Sequence, residues 1–244
     1  MRARHGAPAR SSIRRMAMHT LFFACLVILE ACQTPPLARL PAATTSVLAA
    51  PPGQATHYVI RSDLSDVRLL VYRAGPLAAR GHNHVVQATT VTGDIALAPD
   101  FQRSTFSIVM PVADFLVDAP DARRVEGEEF AKLPAAEFIE GTTRNMLAST
   151  VLDATRFPQI EIRTVKVIGP SWAPDCTIRI RLKAVERDIT VPVVIDYADD
   201  RLVATAVFEV KQTDFGISPL SILGGALQVA DAIRVRMRIV AQKA

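Results

Sequence analysis

Thr177-Ile178-Arg179-Ile180-Arg181-Leu182-Lys183 and Ile233-Arg234-Val235-Arg236-Met237-Arg238-Ile239 alternate aliphatic and polar side chains without a fault. Successive side chains of a strand point to opposite faces, so each segment buries one face and wets the other. Strands of this half-buried kind belong to an antiparallel sheet. A parallel sheet, covered on both faces, reads instead as continuous apolar runs.

The same period extends outward from these two stretches. Phe106, Ile108 and Met110 share one face of a strand. Ile189, Val191, Val193 and Ile195 alternate around Pro192, whose missing N–H predicts an edge or a bulge. Leu202, Ala204, Ala206, Phe208 and Val210 share a face in the next run, and Asp199-Asp200 between the two runs reads as a hairpin turn. Further strands are expected at residues 58–60, 67–73, 85–97 and 160–167, giving about eight in all.

The period fails between residues 112 and 158. There the spacing predicts a helix over residues 144–152, capped by Thr142 or Thr143, with Leu147 and Val151 on one face. A second helical segment is expected over 123–132, interrupted by Gly127. The fold class expected is all-β: an eight-stranded antiparallel barrel with one or two short helices inserted between strands and covering one mouth. Such a barrel has an interior that side chains fill, or that holds one small ligand. Three inward rows would form its wall: Phe106, Ile108 and Met110; Ile178, Ile180 and Leu182; Ala204, Ala206 and Phe208. Periodicity alone favours a packed core over a ligand-lined cavity.

The N-terminal stretch reads as an address. Five arginines (Arg2, Arg4, Arg10, Arg14, Arg15) precede a short apolar run over 21–29, and then Glu30-Ala31-Cys32. This is the export-signal pattern, with an apolar run too short to span a membrane. Leu29-Glu30-Ala31-Cys32 resembles the bacterial lipobox, although Glu30 departs from it. That resemblance implies a lipid-modified Cys32 at the mature N-terminus, and Gln33 after it implies the outer membrane. Residues 32–55, rich in Pro, Ala and Thr, read as a tether. Residues 56–244 then form one barrel domain.

Removing residues 1–31 takes five of 28 basic and one of 24 acidic residues, leaving 23 of each. The basic surplus therefore belongs to the address, and a nucleic-acid partner, which needs a cationic surface, is not expected. Of three cysteines only Cys176 falls within the barrel, so no disulfide framework is expected. No nucleophile elbow, phosphate loop or dinucleotide fingerprint is present, and the expectation is a binding protein rather than an enzyme.

Several motifs occur in a recognisable order: Phe157-Pro158-Gln159-Ile160, then Ala184-Val185-Glu186-Arg187-Asp188-Ile189-Thr190-Val191-Pro192-Val193, then Thr213-Asp214-Phe215-Gly216-Ile217, and Ala230-Asp231-Ala232-Ile233. In this order they resemble the YceI-like family of bacterial periplasmic polyisoprenoid-binding proteins. The resemblance implies an extended, lipocalin-like eight-stranded barrel whose apolar tunnel holds a long isoprenoid or quinone tail as its ligand, and no other cofactor. The turn at 185–190 and Glu161-Ile162 after the Phe-Pro-x-Ile start depart from the family pattern. Arg80-Gly81-His82-Asn83-His84 resembles a Gly-His-Asn-His subgroup.

His82 and His84 are the sharpest polar feature. Two apart on a strand, both imidazoles would project to one face. Three uses fit them: ligands of a metal ion, for which His57 is the only further histidine of residues 56–244; polar groups at a ligand's head; or structural hydrogen bonding. Asp214 before Phe215-Gly216 reads as a turn-forming carboxylate.

Overall fold

A computed structural model describes residues 54–244. The export segment, its Cys32 and nearly all of the tether lie outside the described residues. Twelve strands and two α-helices follow one another along the chain: β1 Thr56–Ile60, β2 Asp66–Ala74, β3 His84–Ala88, β4 Thr92–Leu97, β5 Thr105–Pro111, β6 Phe115–Val117, α1 Pro120–Arg124, α2 Ala136–Leu147, β7 Gln159–Ile168, β8 Asp175–Leu182, β9 Val185–Ala198, β10 Arg201–Lys211, β11 Ser221–Ile222 and β12 Leu227–Lys243. All strand pairings are antiparallel. The order β1-β4-β5-β7-β8-β9-β10-β12 returns to β1 and closes a barrel of eight strands.

Three of the eight staves are each broken into two strands. β1 continues as β2 beyond the kink at Ser62–Leu64, β3 as β4 beyond residues 89–91, and β5 as β6 beyond Val112–Asp114. β2 pairs with the first half of β12 and β1 with its end, while β3 joins β2 and β6 joins β3. The run expected as one strand over 85–97 is therefore two. Gly93, just after that break, has φ 144°, and a Cβ there would strike the Ser107 carbonyl of β5. No other residue fits so close a backbone approach.

The wet outer face is ordered by cross-strand charge pairs. Arg179 of β8 grips Asp188 of β9 with two hydrogen bonds of 2.7 and 2.8 Å, and Arg234 of β12 meets Glu209 of β10. Arg68 and Arg236 oppose each other across β2 and β12, a like-charge pair, and the buried Glu126 carboxylate hydrogen-bonds Arg68 and lies 3.3 Å from Arg236 Nε.

The expected hairpin turn at Asp199-Asp200 joins β9 to β10, with Asp199 at φ 53°. Pro192 also behaves as its chemistry demands. The β9–β10 ladder stops at Val193 opposite Ala206, whereas β10 stays paired with β12 as far as Lys211. The Val193 N–H donates to Pro174 O on the β8 side, so by alternation the Pro192 nitrogen faces the β10 side, where the ladder has ended. The wall is thus unpaired between the first half of β9 and the last part of β10.

The helical excursion differs from expectation in position. The helix expected over 144–152 is α2, Ala136–Leu147. Thr142 is not its cap but lies inside it, and Val151 falls beyond its end. Its N-cap is Ala135, which has no side chain to bond the first turn. Ile139, Met146 and Leu147 pack on the barrel core, so burial of an apolar face holds this helix, with no help from local capping. The weaker segment resolves into α1 and a 3-10 turn at Glu128–Phe130. These lie on the outside of β2 and β3, where Ala122 and Phe130 bury Leu70 and Val85 in a second small core.

Candidate functional site

The inward rows enclose two apolar chambers. The larger, of about 250 Å³, lies under α2 and is walled by Val67, Leu69 and Val71 of β2, Met110, Ile160, Ile180, Leu182, Val210 and Val235. The smaller, of about 90 Å³, lies toward the β9–β10 hairpin and is walled by Ile95, Phe106, Ile178, Ala204, Ala206 and Ile239. Ile162, Phe208 and Met237 line both and form a waist between them. Alternation produces this arrangement, because every second residue of each stave must face inward.

All nine apolar residues singled out from the sequence line these chambers. Phe106, Ile108, Ile178, Ala204, Ala206 and Phe208 face the smaller one, while Met110, Ile180, Leu182 and again Phe208 face the larger. Cys176, also in the smaller chamber, is buried, and its thiol is pushed up to about 11, first by burial and then by Asp175. It is a small apolar wall residue, far from the thiolate state that a nucleophile needs.

The larger chamber carries its polar groups at its rim: His84, Thr142, Asn145, Lys211 and Gln212. His84 opens β3 and points inward. Its Nδ1 lies 2.6 Å from Asp118 Oδ2, and its Nε2 lies 3.4 Å from the Thr142 hydroxyl of α2. The Asp118 side chain is wholly buried. Its Oδ1 accepts the Val85 N–H at 2.9 Å and also bonds Arg123, which is 4% exposed. Arg123 in turn donates to Asn83 O at 2.8 Å and to Lys132 O at 2.7 Å. The Asn83 side chain accepts the Arg73 N–H and donates to Glu129 O. Burial alone would raise the Asp118 carboxyl, but hydrogen bonds from His84, Val85 and Arg123 outweigh it and hold the group below the usual carboxylate range.

Within the Gly-His-Asn-His segment the two histidines therefore part company. β3 begins only at His84, so His82 lies in the preceding loop and not on the strand. The His82 ring rests on Phe138 of α2 at 5.0 Å between centroids and 6.2 Å from the His84 ring. Burial, with the neighbouring His84 and Lys132, holds His82 below the ordinary imidazole value. His57 is too far away to join them as a third metal ligand. His57 lies on β1 next to Tyr58, which opposes Lys243, whereas Val71 beside His84 opposes Ile233. Ten residues of strand separate those two β12 positions, roughly 33 Å. No group of three or more His, Cys, Asp or Glu that could hold a metal ion occurs among the described residues.

Asp118 and Arg123 are the site residues that sequence reasoning missed. The signal that could have found them is Val117-Asp118-Ala119-Pro120, an Asp ending an apolar strand just before a Pro that starts a helix. Asp118 adopts φ 58°, a conformation that Asp tolerates better than most residues. The turn read at Thr213–Gly216 is present, with Gly216 at φ 70°, but the carboxylate that ties it is Asp231, which bonds the Thr213 N–H and hydroxyl.

The family model of the YceI-like domain matches residues 58–241. The chain belongs to the YceI-like family. Two solved structures resemble this YceI-like chain closely enough to support the fold. One is BcnA from Burkholderia cenocepacia, 13% identical, with a TM-score of 0.56, covering 75% of this chain and 99% of that one. The other is a polyisoprenoid binding domain from Saccharophagus degradans implicated in plant cell wall breakdown, 8% identical, with a TM-score of 0.51, covering 77% and 98%. No curated protein matches the chain. The closed eight-strand barrel expected from periodicity is the fold that these two structures share.

Proposed function

We propose that this YceI-like barrel binds one long apolar lipid, a polyisoprenoid or a quinone-like tail, inside its two chambers, and that it carries or holds this lipid without transforming it. The observation that supports the reading most is the larger chamber, whose walls are aliphatic and whose polar groups gather at one rim. A tail entering beside α2 would run down the larger chamber and pass Ile162, Phe208 and Met237 toward the smaller one. Each buried methylene contributes about 0.8 kcal/mol, so a few prenyl units bind firmly with no charged anchor. The polyisoprenoid-binding description of the Saccharophagus degradans domain agrees with this chemistry. The delipidated protein titrated with geranylgeraniol should show saturable binding of one equivalent. Linear, non-saturating uptake would refute the reading.

We further propose that the protein is exported to the periplasm and anchored to the outer membrane through Cys32, on the strength of Leu29-Glu30-Ala31-Cys32 and the tether that follows. Metabolic labelling with a fatty-acid analogue should mark the wild type and leave Cys32→Ser unlabelled. Equal labelling of both, or a mature N-terminus elsewhere by mass spectrometry, would refute the anchor.

A further inference from the structure

With His84 neutral, the polar end of the larger chamber has a definite hydrogen-bonding sense. Asp118 Oδ1 is occupied by the Val85 N–H and by Arg123, and its Oδ2 by His84 Nδ1. A carboxylate paired with a guanidinium is an acceptor only, so the ring proton of a neutral His84 sits on Nδ1. Nε2 is then left as a lone pair, and it is the nitrogen that faces α2 and the chamber. Among the described residues its partner is the Thr142 hydroxyl at 3.4 Å. That is well beyond the roughly 2.7–3.0 Å of a full hydrogen bond to a hydroxyl. His84 is 13% exposed, so bulk water has little access to complete this acceptor. The network holds this orientation, because both Asp118 oxygens are buried and engaged and Arg123 is tied to Asn83 O and Lys132 O.

We propose that the chamber selects lipids whose polar end carries a hydroxyl, an isoprenoid alcohol or a prenylated phenol, which donates to His84 Nε2 and accepts from Thr142. This rests on the lipid-binding reading above and sharpens it. A quinone carbonyl or an ether brings only acceptor lone pairs to the Nε2 lone pair and is disfavoured. His84 is thus a specificity-determining residue, and Asp118 is a positioning residue that acts through it.

Two matched pairs of probes test this on the purified, delipidated protein: geranylgeraniol with its methyl ether, and a geranylgeranyl phenol with its methyl ether. Within a pair the tails are identical and only the donor is lost. The wild type should bind the hydroxyl form about five- to tenfold tighter in at least one pair, and the pair showing the gap identifies the alcohol or the phenol as the native class. In His84→Ala that gap should close, so that the hydroxyl and ether forms of the pair bind alike. Equal binding of hydroxyl and ether forms by the wild type in both pairs would overturn the selectivity and leave the tail-binding reading standing. Failure of all four probes to bind would overturn both. The wild-type comparison needs no variant, so a poorly folding His84→Ala does not weaken the test.

Discussion

Asp118→Ala is expected to lower folding stability by about 3–5 kcal/mol, the usual cost of removing one partner from a buried ion pair. In a domain of this size that lowers the melting temperature by roughly 10 °C. The substitution strands Arg123 without its counter-charge and leaves the Val85 N–H and His84 Nδ1 without their acceptor, all next to an apolar interior. The effect should depend on pH with a definite sign. The folded Asp118 carboxyl lies below its ordinary value, so it binds a proton less readily folded than unfolded. Its stabilisation is therefore complete above the ordinary aspartate value of about 4 and is lost as pH falls through the lowered folded value. Denaturant melts at neutral and acid pH should show wild type and Asp118→Ala converging in acid. Equal stability of the two at neutral pH would mean that the His84–Asp118–Arg123 network does not form.

The second large effect concerns the cavity. Val210→Trp should abolish most lipid binding while leaving the ligand-free fold almost as stable as before. Val210 faces the larger chamber from β10, beyond the point where β9 has left that strand. An indole there enters the space of about one prenyl unit. Five buried carbons at about 0.8 kcal/mol each correspond to roughly a thousandfold loss in affinity. Were the interior a packed core, the same change would be overpacking and would cost about 1–3 kcal/mol, occasionally more. Thermal melts beside lipid extraction of both forms separate these outcomes.

The parts of this molecule visible in the sequence are those that alternation controls. Ile178, Ile180 and Leu182 had to face inward once Arg179 and Arg181 faced out, and the same logic placed Ala204, Ala206 and Phe208. The parts that were not visible depend on contacts distant along the chain. Asp118 reaches His84 from 34 residues away, and its local setting, an Asp between an apolar strand and a Pro, does not tell which residue it bonds. α2 has no capping side chain and carries Gly141 in its middle, so local signals drew the expected helix too late; only the core packing of Ile139 and Met146 explains its place. The pairing of His82 with His84 assumed a strand that already ran through both. β3 starts at His84 because Asn83 is taken up in bonds to Arg73 and Glu129. The run over 85–97 looked continuous because Val85, Val86, Ala88, Val91 and Ile95 are all apolar, although the chain turns between Ala88 and Thr92.

The claim at the centre of this account is that the barrel is a lipid container. Native mass spectrometry of the protein purified gently from its own host, with organic extraction of the same sample, tests it most directly. The expected result is a complex heavier than the bare chain by one lipid, and an extract dominated by an isoprenoid-tailed molecule bearing a hydroxyl. A bare-chain mass in host-purified protein, together with no uptake of geranylgeraniol on reloading, would contradict it.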